Sequence, residues 1–320
     1  ILLDINMPGL DGYETCRLLK KDPVLKDIPV IFISALSQTI DKVEAFNAGG
    51  VDYITKPFFF EEIQVRMTTH LRLRRMQIML EDHNRLLEKR VADQVKLITD
   101  SQMETIFALA KLAELRDKET GRHLERVRLF CRELAVTMKD TKSCARIIDE
   151  RFIDAIFNAS PLHDIGKVGI SDSVLQKPAR LTTEEFDHMK RHTVIGARTL
   201  RIVQKRFPSN SFLSMGVEIA RSHHERWDGS GYPDGLKHCD IPLSARIMSL
   251  ADVYDALRSV RRYKNALSHE ETCDIIVGSR ETHFDPDLVD AFKRIHDRFK
   301  QITIDLLDSG ERDPETMRHS

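Results

Sequence analysis

The sequence predicts a multidomain chain in which an α/β segment built on a parallel sheet is followed by an all-α domain. Three observations carry this prediction. Short apolar runs alternate with helical stretches up to about residue 70. A strongly charged stretch without Gly or Pro covers 71–104. From 105 to 308 almost everything has helical periodicity. Of the 320 residues, 41% are hydrophobic and 31% charged, and 49 basic residues face 50 acidic ones. That balance gives no case for binding DNA or an anionic membrane, both of which reward a basic excess. No apolar run is long enough to span a bilayer. Five scattered cysteines without a C-x-x-C pair point to a reducing, cytoplasmic setting. The chain opens on Ile1 inside an apolar run and reads as a fragment that begins in mid-domain.

In order along the chain, residues 1–3, 29–33 and 51–54 are predicted strands, with helices at 12–21, 38–48 and 59–72 between and after them. Such alternation implies a parallel sheet covered on both faces. Residues 71–104 form a helical linker. One heptad frame there aligns Leu73, Gln77, Leu80, Asn84, Leu87, Val91, Gln94 and Ile98, and an Asn at a core position favours parallel pairing of two copies. A homodimeric coiled coil and a single solvated helix are the two readings. Thr182-Thr183-Glu184-Glu185 offers a capping box. Residues 228–235 are a Gly-rich loop, and 309–320 a polar, frayed tail.

Asp4 ends the first strand, where ligands gather in open α/β sheets. The run from Asp4 through Met7-Pro8 to Asp11-Gly12 resembles the phospho-acceptor strand and loop of response-regulator receivers, which have a flavodoxin-like fold. The resemblance implies Asp4 as the phosphorylated residue, Ser34 as an oxygen ligand, Lys56 as the counter-charge and Tyr53 as the switching aromatic. It also implies a cognate sensor histidine kinase as partner. The family's Mg²⁺-holding acidic pair lies on a strand that this sequence lacks.

Sharper chemistry lies between 117 and 264. Glu119 and His123 are four apart, on one face of a helix. His163-Asp164 is followed by Lys167; His192, the pair His223-His224, and Asp252 come later. Taken singly, such residues are usually solvated. Five histidines and three carboxylates beside apolar stripes are costly to bury without a cation. Ligation by N and O without thiolate suits Fe or Mn, with Ni, Co and Mg as alternatives, and more than four ligands with bridging carboxylates argue for two or three ions.

His163-Asp164-Ile165-Gly166-Lys167 and the run from His223 to Pro233 resemble the two motifs of HD-GYP phosphodiesterases, and the likeness covers about 104–305. The resemblance implies an HD-type helical domain and metal ligands at Glu119, His123, His163, Asp164, His192, His223, His224 and Asp252, with Glu119 marking members that hold a third ion. It further implies cyclic di-GMP as substrate, opened to pGpG and in some members cut to GMP. In that reading Asp164 and Lys167 are catalytic, and Lys167, Arg261 and Lys264 bind phosphate, although the family usually has Pro at the position of Arg262. Asp117 is an outer contributor at most, while His188, His238, His269, His283 and His296 are read as surface. The other readings are an HD hydrolase of another dinucleotide, and a non-hydrolytic sensor that docks a partner such as a diguanylate cyclase through its 228–235 loop.

Overall fold

The computed structural model describes residues 1–35, 39–116, 122–139, 141, 147–259 and 266–306. They fall into two compact units, 1–98 and 99–320.

The first unit holds the strands β1 (Leu2–Asp4), β2 (Ile31–Ser34) and β3 (Asp52–Thr55), with helices α1 (Gly12–Lys21) and α2 (Thr39–Asn47) between them. The strands pair in parallel in the order β1-β2-β3, with Leu3 opposite Phe32 and Phe32 opposite Tyr53. Each lies one or two residues later than its apolar run suggested, because pairing continues into the polar residues Asp4, Ser34 and Thr55 at the strand ends. Asp11 caps α1 by accepting from the Glu14 N–H at 2.7 Å. Leu3, Ile5, Cys16, Val30, Phe32 and Ala45 form this unit's core.

Helix α3 (Phe60–Glu114) contains all of 71–104 without a break. Its outer positions Leu73, Leu80, Leu87, Val91 and Ile98 are exposed.

The second unit is helical: α4 (His123–Lys139), α5 (Glu150–Ala159), α6 (Asp172–Leu175), α7 (Thr183–Gln204), α8 (Ser211–Ser222), α9 (Leu243–Arg258), α10 (His269–Gly278) and α11 (Pro286–Asp305). The expected capping box starts α7, with Thr182 and Glu185 each accepting from the other's backbone N–H. A second one, Ser268 with Glu271, starts α10. The core is packed around Phe130, Tyr254, Phe292 and Phe299, with the Phe130 and Phe299 rings stacked at 4.3 Å. No helix among the described residues is long and apolar enough to cross a membrane.

Candidate metal centre

The first motif sits in two short 3₁₀ turns, Ser160–Leu162 and Ile165–Gly169, with His163 and Asp164 at their junction. His123 opens α4, His192 is inside α7, His223 caps the end of α8, and Asp252 is on α9. These elements bring seven of the expected ligands together in two adjoining groups. One is His123, His163 and Asp252; the other is Asp164, His192, His223 and His224. Within each group the ligating atoms all lie within 4.8 Å of one another. Asp164 joins them, with Oδ2 3.3 Å from His163 Nε2 and Oδ1 3.2 Å from His192 Nε2.

The far nitrogen of each buried ring is tied back. His163 Nδ1 lies 2.9 Å from the Ser160 carbonyl, His192 Nδ1 2.8 Å from that of Met189, and His223 Nδ1 2.8 Å from that of Ile219. A carbonyl only accepts, so each Nδ1 carries the proton and each Nε2 keeps its lone pair toward the centre. Among the described residues those three Nε2 atoms and Asp164 Oδ1 are buried without a hydrogen-bond partner. Orphaned lone pairs at this density are what a cation would satisfy, so the residues fit a metal.

The electrostatics agree. Burial opposes charge on Asp164, but Lys167 and His163 outweigh it and hold its carboxyl well below the usual range. Burial pulls His224 down to about 3, with neighbouring His192 adding to the shift, and His223 is also well below its ordinary value for the same first cause. Both stay neutral and ready to ligate at neutral pH. For His163, burial is outweighed by Asp164 and Asp252, and its pKa is raised. Lys167 Nζ lies 2.7 Å from Asp164 Oδ2, at the edge of the centre.

Two glycines permit this convergence. A Cβ on Gly166 would lie 1.9 Å from the His192 carbonyl oxygen, so only glycine lets the first motif press on α7. A Cβ on Gly231 would meet Arg226 N at 2.4 Å, which lets the second motif fold back on itself. Glu225, also buried, accepts from the N–H groups of Asp234 and Leu236 at 2.8 and 3.0 Å and so holds that loop. Tyr232 from the loop lies against His224 with ring centroids 4.8 Å apart.

Sequence reasoning missed three supporting residues. Asp255 accepts from His123 Nδ1 at 2.7 Å and from Arg126 Nε at 2.6 Å, in a buried cluster. It orients the His123 ring, and Glu225 orients the loop. The available signal was spacing: Asp255 follows Asp252 by three and Arg126 follows His123 by three, so each pair shares a helix face. His269, read as surface, is in fact buried, because it begins α10 against Tyr254. Asp117, Glu119, Arg261, Arg262 and Lys264 lie outside the described residues.

In the first unit Asp4, Ser34 and Lys56 stand at the ends of β1, β2 and β3. Lys56 bonds the Asp4 carboxylate, and this bond holds the Asp4 pKa down. Ser34 is fully buried, and Tyr53 is buried in the sheet core.

Residues 108–288 match the family described as HD domain, and residues 1–68 match the response regulator receiver domain. The chain is 44% identical over 293 residues to the probable cyclic di-GMP phosphodiesterase of Vibrio cholerae, covering 91% of this chain and 66% of that protein. It is 38% identical over 302 residues to the cyclic di-GMP phosphodiesterase response regulator RpfG of Xanthomonas campestris, covering 94% and 76%. A cyclic di-GMP phosphodiesterase of Thermotoga maritima is 38% identical over 311 residues, covering 94% and 79%. The chain thus spans just under two thirds of the first of these relatives. With an HD match over more than half of its residues and a receiver match ahead of it, this chain belongs to the HD-domain family, in its receiver-linked HD-GYP form.

Proposed function

We propose that this protein is a metal-dependent phosphodiesterase that hydrolyses cyclic di-GMP to pGpG, under control of receiver phosphorylation at Asp4. The observation that carries the reading is the convergence of orphaned imidazole lone pairs on Asp164. His123, His163 and Asp252 would hold one cation, and Asp164, His192, His223 and His224 another, with Asp164 shared. Iron or manganese is the preferred occupant, since no thiolate joins either group. Such cations, when bound, polarise phosphoryl oxygens and lower the pKa of water. Glu119 is proposed as a ligand of a third ion.

The residues' own tasks follow from their positions. Lys167 donates to a non-bridging phosphate oxygen and offsets charge that grows there. Arg261 and Lys264 are proposed to bind the second phosphate. Tyr232, whose ring lies tilted beside His224, forms a wall against which a guanine can pack. A cognate sensor histidine kinase would phosphorylate Asp4, with Ser34, Lys56 and Tyr53 relaying the change. The loop at 228–235 is the proposed contact for a diguanylate cyclase. The scattered cysteines support a cytoplasmic setting. The exposed seam of α3, with Asn84 in a core position, supports a parallel homodimer.

Metal content of protein purified without oxygen, paired with turnover of cyclic di-GMP, cyclic GMP-AMP and pGpG, tests the reading. Cyclic di-GMP should be the fastest of the three cyclic and linear substrates, and Asp164→Ala should abolish turnover and lower the metal content. Fully loaded protein that binds cyclic di-GMP but releases no product would make it a sensor instead.

A further inference from the structure

A second convergence of ligating atoms lies away from the HD centre. His269 and Cys273 are four apart on α10, and His296 faces them from α11. His269 Nε2 lies 3.1 Å from His296 Nδ1 and 3.5 Å from Cys273 Sγ. All three ligand atoms lie within 4.8 Å of one another. Around a tetrahedral zinc, bond lengths near 2.05 Å to N and 2.3 Å to S give N···N edges of about 3.3 Å and N···S edges of about 3.6 Å. The observed separations are already close to those edges.

The way the His269 ring is held favours a cation. His269 Nδ1 lies 2.9 Å from the Tyr254 hydroxyl, which fixes that edge of the ring. With Nδ1 engaged by that hydroxyl, Nε2 is the ring nitrogen that faces Cys273 and His296. A ligating histidine with its other nitrogen fixed by a neighbour is the usual arrangement at metal sites. His269 is buried, whereas the His296 side chain is 40% exposed, which leaves room for solvent as a fourth ligand.

We propose that His269, Cys273 and His296 form a zinc site separate from the HD centre, pinning α10 to α11 and, through Tyr254, to the helix that carries Asp252. The thiolate sets its preference apart from that of the all-N/O centre. Burial pushes the Cys273 thiol up to about 11, so it is protonated until the cation arrives. Binding breaks the S–H bond, forms S–Zn and releases the proton to solvent.

Cobalt(II) is the probe, added to the reduced full-length protein without oxygen. A thiolate bound to cobalt gives a near-ultraviolet charge-transfer band that imidazole and carboxylate ligands do not. The band should saturate at about one equivalent, disappear on adding zinc, and survive in Asp164→Ala, where the HD centre is disabled. It should also survive in Cys239→Ser, which removes an exposed thiol, and vanish in the near-isosteric Cys273→Ser. In His296→Gln, at the half-exposed ligand, zinc affinity measured by chelator competition should fall at least about 10-fold while helical content is unchanged. Absence of the band in the wild type, or its persistence in Cys273→Ser, overturns the proposal.

Discussion

At the scale of single residues, the centre separates those that would hold a cation from those that act on its surroundings. Lys167 touches Asp164 but adds no lone pair, so its loss should leave metal in place and remove an electrostatic contact. Lys167→Ala should lower kcat by roughly 10²-fold with unchanged metal content; unchanged kcat per bound metal would rule out its role. Asp255 is a different case. It is buried, and burial opposes its charge, yet Arg126 and His123 hold its pKa far down. Asp255→Ala strands the buried Arg126 and frees the His123 ring, which should cost about 3–5 kcal/mol in denaturant unfolding. A loss below about 1 kcal/mol would mean that the cluster relaxes without penalty. The candidate ligands were legible because doublets such as His163-Asp164 and His223-His224 are conspicuous in a sequence. Asp255 and Glu225 were not, because their partners, His123 and the backbone of Asp234 and Leu236, are neighbours only after folding.

At the scale of elements, the alternating runs gave the strands and helices of the first unit to within one or two residues. The offsets lie where a polar residue still pairs in the sheet, a property of the neighbouring strand that no single run reveals. The charged segment 71–104 was readable as helix, but its merger into one 55-residue helix was not. No Gly or Pro stops it at either end, so continuity depends on what surrounds each boundary. Its exposed leucines give a test of the proposed homodimer. Leu80→Glu with Leu87→Glu should shift the full-length protein from dimer to monomer in sedimentation equilibrium, with helical content of the HD unit retained. A wild type that is already monomeric at tens of micromolar would remove the coiled coil from the reading. Gly166 shows the limit of pattern reading in the other direction. The sequence displays a glycine inside a motif, while the His192 carbonyl that demands it comes from α7.

For the molecule as a whole, the buried imidazoles make metal-free protein sensitive to acid. His192, His223, His224, His269 and His283 all have pKa values lowered first by burial, with His224 down to about 3 and His283 to about 4. In the unfolded chain each takes up a proton near pH 6.5. Below that pH the unfolded state binds more protons, so the stability they contribute is present above about 6.5 and declines as pH falls toward their folded values. His163, with a raised pKa, works the other way, but it is one group against five. Protein stripped with EDTA should therefore melt at a clearly lower temperature at pH 5 than at pH 7. A flat profile across that interval would show that the stripped centre opens to water and its histidines titrate freely.

The bonds from His163, His192 and His223 to the carbonyls of Ser160, Met189 and Ile219 have a consequence in time as well as in space. Each ring is locked to a carbonyl three or four residues earlier in its own chain segment, so its tautomer is chosen when that turn forms. Capture of a cation then requires no ring flip at these three positions, and no proton relocation at His192 and His223, whose pKa values are lowered. Loading should follow a single second-order phase whose rate scales with cation concentration, without a slow unimolecular step behind it.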